Sequence, residues 1–231
     1  MLIELGVYRA GSLAILAAQC QKAYALDIDP FCDATYASRF PNVEFITGPS
    51  QNTLPKLIER IQNSREPLSF VLIDANHSEE GVRRDLDNVL RYMPQRPLYI
   101  VIHDSFNPGC RRGIMTAIWS SNPHVHMVEL DFVVGRFVTQ EEGNYRQMWC
   151  GLALGVLLPE KRTGAVIMRE NESLMYRTAL QHSVYRFHKW WNPAYSLPLA
   201  AGRMRRTAGR LLRTHAPELF DAMKARHNKN T

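Results

Sequence analysis

Several features that would place the 231-residue chain in a specialised class are missing from it. Its four cysteines (Cys20, Cys32, Cys110 and Cys150) are widely spaced, with no CxxC pair. That excludes a disulfide-dense scaffold, and we read them as reduced, mostly buried thiols. No apolar run reaches the roughly 18 residues needed to cross a bilayer, so a transmembrane protein is not expected. Met1 to Gly11 carries Glu4 and Arg9 and lacks the basic start and apolar core of a secretory leader, which makes a cytoplasmic protein the expectation. The first glycine turn lacks GxGxxG spacing, which argues against a nicotinamide-dependent oxidoreductase. There is no internal repeat and no low-complexity stretch. Hydrophobic residues at 45% and charged residues at 22% exclude a disordered or fibrous chain.

An excess of either charge is also missing from most of the chain. Eight of the 28 Lys/Arg and two of the 22 Asp/Glu lie in 203–231, so residues 1–202 carry 20 of each sign. The net charge of +6 therefore belongs to the tail. A protein that grips nucleic acid with its main body shows a broader basic surface, so no nucleic-acid partner is expected there.

What is present is an alternation. Five short apolar runs, Leu2–Val7, Ala23–Ile28, Val43–Thr47, Phe70–Ile73 and Leu98–Ile102, read as strands buried on both faces, since they do not alternate with polar residues. Helix candidates follow them at Ser12–Gln21, Phe31–Arg39, Asn52–Gln62, Glu79–Tyr92 and Arg111–Ser120. This order predicts an α/β, Rossmann-like doubly wound sheet, mostly parallel. His126–Phe137 and Met148–Leu158, separated by the polar Gln140–Arg146, predict an antiparallel pair that closes it. We expect a domain over 1–158 and a helical, aromatic, then basic extension over 159–231.

Open α/β sheets bind ligands beyond the carboxyl ends of their strands. The first strand runs out into Glu4-Leu5-Gly6-Val7-Tyr8-Arg9-Ala10-Gly11-Ser12, a glycine turn before a helix. Gly6 and Gly11 allow close backbone approach, and Ser12 is placed to cap the helix or meet a carboxylate. A purely structural turn reads the same way. The second strand ends in Asp27-Ile28-Asp29, where an acid can accept ribose hydroxyls, and the third in the small polar Gly48-Pro49-Ser50-Gln51. The fourth ends in Asp74-Ala75-Asn76-His77 and the fifth in His103-Asp104-Ser105-Phe106-Asn107. These last two gather carboxylates and imidazoles, and Asp and Asn oxygens suit a hard cation such as Mg²⁺.

In Glu4-Leu5-Gly6-Val7-Tyr8, Asp27, Gly48-Pro49-Ser50-Gln51 and Asp74, residues 2–158 resemble class I S-adenosylmethionine-dependent methyltransferases. The resemblance is closest to the metal-dependent catechol O-methyltransferase-like group and relatives that methylate sugars. It implies that Glu4, Gly6, Tyr8 and Ser12 belong to the cofactor site, with Gly6, Tyr8 and Ser12 along the methionine half. Asp27 would hold the ribose, with Asp29 as the competing choice, and Ser50 and Gln51 would border the adenine. Asp74 and Asp104 become metal ligands, Asp74 close to the reacting methyl and so also counted as a catalytic and cofactor-binding residue, and His77 stands where relatives place a catalytic base. His103 replaces an acidic ligand of relatives; it either binds the metal or orients substrate, and Asn107 is an alternative oxygen donor. Relatives carry helices before the first strand, and here the C-terminal segment is expected to supply that acceptor cover or a dimer contact.

Methyl transfer from a sulfonium is an in-line displacement that needs alignment and an activated nucleophile. A divalent cation lowers a hydroxyl's pKa, and a base near pKa 6.5, as His77 is when unperturbed, removes the proton. The competing role for His77 is to cap the helix starting at Ser78-Glu79. The leading expectation is thus a Mg²⁺-dependent O-methyltransferase acting on a small-molecule or carbohydrate acceptor. A catechol or hydroxylated-aromatic O-methyltransferase and a non-catalytic nucleotide- or nucleic-acid-binding module using the basic tail are the alternatives. The aromatic Tyr185–Trp191 run suggests a core or homodimer contact. Arg203, Arg206, Arg210 and Arg213 define a basic amphipathic helix that a membrane surface, an anionic acceptor or a partner could use.

Overall fold

The computed structural model describes residues 1–64, 66–140 and 143–186. Strands β1 (Leu2–Leu5), β2 (Ala23–Asp27), β3 (Val43–Thr47), β4 (Phe70–Ile73) and β5 (Leu98–His103) alternate with helices. These helices are α1 (Gly11–Ala17), α2 (Phe31–Tyr36), α3 (Ser50–Ser64), α4 (Glu79–Val89) and α5 (Pro108–Thr116). Then come β6 (Val125–Val133), β7 (Arg136–Gln140), β8 (Gly143–Trp149), β9 (Leu152–Leu157), β10 (Ile167–Arg169) and α6 (Ser173–Gln181).

Eight strands form one sheet in the order β10-β6-β9-β5-β4-β1-β2-β3. β1 to β5 pair in parallel, and β9 inserts antiparallel between β5 and β6. The expected mostly parallel sheet with an antiparallel closing strand is therefore present. Of the stretch expected as a polar loop, Gln140–Arg146, the described residues belong to a separate antiparallel ribbon: Gln140 ends β7 and Gly143 to Arg146 open β8.

Alternation along β2 shows the layering. Tyr24 and Leu26 join a core with Leu54, Leu57, Ile58 and Ile61 of α3, Val82 and Leu86 of α4 and Ile114 of α5. Ala25, between them, joins Leu13 and Ala17 of α1 and Cys32 and Tyr36 of α2 on the opposite face. Helices thus cover both faces, as the apolar strands require.

The first compact unit runs from Met1 to Val184, so β10 and α6 extend it past residue 158. They are tied down by Arg111, which is buried and pairs with Asp131 at 2.7 Å and Glu170 at 3.3 Å while its guanidinium lies 4.1 Å from the Tyr176 ring centre. Most of the Tyr185–Trp191 run and the whole basic 203–213 stretch lie outside the described residues. Among the described residues, no helix is long and apolar enough to cross a membrane.

Candidate functional site

The register of the central strands assembles the site. Ile73 of β4 lies opposite Ile102 of β5, so the next residues, Asp74 just past β4 and His103 at the end of β5, stand side by side at the edge of the sheet. One residue on, Asp104 takes a left-handed backbone conformation (φ 58°), strained for any residue with a side chain and more tolerable for Asp than for most. Its Oδ1 accepts the Cys150 N–H at 2.6 Å, which locks the carboxylate against the start of β9. His77 arrives from the loop before α4. Ser78 caps that helix, its hydroxyl accepting the Gly81 N–H at 3.0 Å, so the capping role belongs to Ser78 and His77 is left for the cluster.

Asp74, His77, His103 and Asp104 offer ligand atoms that all lie within 4.8 Å of one another. His77 Nε2 lies 3.0 Å from Asp74 Oδ1 and 3.5 Å from Asp104 Oδ2. His103 Nδ1 lies 3.0 Å from Asp74 Oδ1 and 3.4 Å from Asp104 Oδ1, yet it is buried and aligned with neither for a hydrogen bond. Burial would push the Asp74 carboxyl up, but His103 and His77 together hold it below its ordinary value. The bond to Asp74 raises the His77 imidazole against the pull of burial. His103, beside Asp104 and Asp74, is pushed up to about 10. Two carboxylates around a buried, unaligned ring nitrogen form a cradle whose chemistry fits a divalent cation.

The glycine turn follows β1. Gly6 has φ 87°, and a Cβ there would stand 2.3 Å from the Asp74 carbonyl oxygen, so only glycine lets this turn pass the end of β4. Tyr8 and Ala10 are also left-handed, at φ 48° and 55°; Ala10 carries that strain directly before α1. Glu4 is fully buried and takes the Ser12 hydroxyl at 2.5 Å, while its Oε2 has no partner. Burial, partly opposed by the Ser12 bond, pushes the Glu4 carboxyl up to about 7.

The remaining candidates occupy the neighbouring strand ends. Asp27 Oδ2 accepts the Val7 and Tyr8 N–H groups at 2.8 and 3.0 Å, tying the second strand end to the glycine turn. Asp29 instead starts α2, accepting the Phe31 N–H at 3.0 Å. Ser50 holds the carboxyl of the buried Asp85 of α4 down against burial, and Gln51 faces Arg84 at 3.5 Å. Asn107 caps α5 through the Gly109 N–H at 2.9 Å.

Trp149, which had not been singled out in the sequence, stands edge-on to His77 with ring centres 5.8 Å apart. Phe106 sits between Phe137 and Tyr176, at 6.4 and 5.8 Å. The local signal for Trp149 was its place at the head of the second apolar run after the polar turn, where a ribbon returns to the sheet.

The strand-end cluster and the glycine turn lie in the part of the chain that is similar to known proteins. Residues 3–105 match the family model of a methyltransferase domain. The match takes in just under half of the chain. It covers the strand–helix units from β1 to β5, including all four cluster residues. No curated protein matches the chain. Similar solved structures include an rRNA methylase from Streptococcus thermophilus (13% identity, 68% of this chain and 86% of that one, TM-score 0.42). Another is the N-methyltransferase NodS from Bradyrhizobium japonicum in complex with S-adenosyl-L-homocysteine (15% identity, 69% and 78%, TM-score 0.43).

Proposed function

We propose that the protein transfers the methyl group of S-adenosylmethionine to a hydroxyl of a sugar-bearing acceptor, with His77 as base and a divalent cation assisting. The observation that carries this reading is the convergence of Asp74, His77, His103 and Asp104 within a segment that matches a methyltransferase domain.

In this reading Gly6, Tyr8 and Ser12 line the methionine half of the cofactor, with Glu4 buried behind Ser12. Asp27 serves the ribose: Oδ2 takes the Val7 and Tyr8 N–H groups and Oδ1 the Asp29 N–H, which leaves a lone pair of Oδ1 for a hydroxyl. Ser50 and Gln51 border the adenine. Asp74, Asp104 and His103 hold the cation, which supplies Lewis acidity that lowers the pKa of an acceptor hydroxyl. The carbon–sulfur bond breaks as the oxygen–carbon bond forms, S-adenosylhomocysteine departs, and the hydroxyl proton passes to His77. Asp74 orients the His77 ring and favours its protonated form, so the proton transfer is downhill electrostatically. Half-buried Trp149 offers part of its ring beside His77, a surface suited to the apolar face of a sugar. A catechol meets the same ring and the same cluster, so it is the competing acceptor.

Calorimetric titration of S-adenosylmethionine into the full-length protein with a divalent cation present tests the cofactor. One-to-one micromolar binding is expected, and no binding to a folded sample sinks the methyltransferase reading. Matched sugar and catechol acceptors, assayed for methylated product, then decide the acceptor class.

A further inference from the structure

The donors at the β4–β5 edge bear on which cation belongs there. Among the described residues the cluster holds two carboxylates and two imidazoles, so half of the side chains offered are nitrogen donors. The oxygen supply is already partly used. Asp104 Oδ1 accepts the Cys150 N–H at 2.6 Å, and the Asn107 amide oxygen is tied to the Gly109 N–H at 2.9 Å. His103 Nδ1 is the atom with the opposite problem. It is buried, stands 3.0 Å from Asp74 Oδ1 and 3.4 Å from Asp104 Oδ1, and is aligned with neither. A buried ring nitrogen this close to two carboxylates, hydrogen-bonded to neither, is a donor that a shared cation would satisfy. Mg²⁺ favours an oxygen shell, whereas borderline first-row ions gain from imidazole.

We propose that this site takes a divalent first-row transition metal in preference to Mg²⁺, with His103 Nδ1 as its nitrogen ligand beside Asp74 and Asp104. The proposal rests on the cation-assisted reading above and replaces the Mg²⁺ expected from the sequence. His77 is kept out of the ligand set: its Nε2 lies at hydrogen-bonding distance from Asp74 Oδ1, a partner already in place.

The test uses the metal-free, full-length protein and three probes: Mg²⁺, Mn²⁺ and Zn²⁺, each alone. Calorimetry should give Mn²⁺ and Zn²⁺ affinities at least about tenfold above that for Mg²⁺, with the gap narrowing in H103D, which supplies an oxygen instead of the nitrogen. Pulsed electron paramagnetic resonance of the Mn²⁺ form should show coupling to a single imidazole nitrogen. That coupling should vanish in H103D and persist in H77Q. If H103D does not fold, H77Q alone decides the ligand: retained coupling assigns it to His103, and lost coupling overturns the assignment. Mg²⁺ binding as tight as Mn²⁺ binding, with no nitrogen coupling, overturns the proposal and leaves cation assistance standing. Binding of none of the three ions removes the cation from both readings, while S-adenosylmethionine binding still reports on methyl transfer separately.

Discussion

His77 meets three groups at once: Asp74 Oδ1 at 3.0 Å, Asp104 Oδ2 at 3.5 Å and the edge of Trp149. None of these is a cofactor-binding candidate except Asp74, so removing the imidazole isolates proton transfer from cofactor binding. H77A should lower turnover by about 10²–10⁴-fold, the usual range for a lost general base, with S-adenosylmethionine affinity within about twofold. Parallel loss of affinity and turnover in kinetics and calorimetry would make His77 a cofactor-facing or structural residue. The four cluster residues were legible in the sequence because each follows a buried strand, and adjacent strands deliver their ends together. Trp149 was not legible, because its neighbour His77 lies 72 positions away and only the fold of the β7–β8 ribbon brings the two together. Ser50 was legible as a strand-end polar residue but not as the partner of Asp85, since a buried acid on α4 leaves no local pattern.

At the level of elements, β3 and β4 begin and end where their apolar runs do, but only β4 is buried as expected; β3 is the edge strand of the sheet, so Glu44 and Thr47 are exposed and the rest of it only partly covered. α1 stops at Ala17 and not at Gln21 for a reason the local sequence does not carry. The Asn42 side chain, from just before β3, donates to the carbonyls of Ala17 and Cys20 at 2.8 and 2.9 Å, satisfying the groups a longer helix would use. The attachment of β10 and α6 is likewise long-range. Arg111 on α5 bridges Asp131 of β6 and Glu170 just after β10, beneath Tyr176 of α6. Removing one partner of so buried a group strands the other charges. R111A should therefore cost about 3–5 kcal/mol in urea unfolding. In a double-mutant cycle, R111A/D131A should cost less than the two single changes added together, because the second removal takes away an already stranded charge. A cost below about 1 kcal/mol for R111A would mean that the segment is held by apolar packing and that the ionic latch adds nothing net.

For the molecule as a whole, the pH dependence of stability is set by buried acids more than by net charge, because residues 1–202 are balanced. Glu4 is lifted by burial from 4.5 to about 7, with Ser12 pulling the other way. Asp85 is lifted by burial from 3.8 to about 6, with Ser50 opposing. An acid whose folded pKa lies above its unfolded value binds its proton more tightly in the folded chain. Its stabilising contribution is complete below the unfolded value and is lost as pH rises through the folded one. The two windows, 3.8 to about 6 and 4.5 to about 7, overlap, so the losses accumulate across mildly acidic to neutral pH. At about 1.36 kcal/mol per pKa unit, each acid accounts for about 3 kcal/mol. The metal-chelated protein should therefore lose several kcal/mol of unfolding free energy between about pH 5 and about pH 7.5, measured by urea titration at each pH. E4Q should remove mainly the upper part of that loss and D85N the lower, since neither amide ionises, and the double variant should be nearly flat up to about pH 6.5, above which the raised His103 and His77 imidazoles add a loss of their own. Chelation matters because a cation beside Asp74 would relieve the repulsion that Asp74 exerts on Glu4 and pull its pKa down. A wild-type profile that is already flat, or one the double variant leaves unchanged, would place the pH dependence elsewhere and would mean that Glu4 and Asp85 reach water in the folded protein.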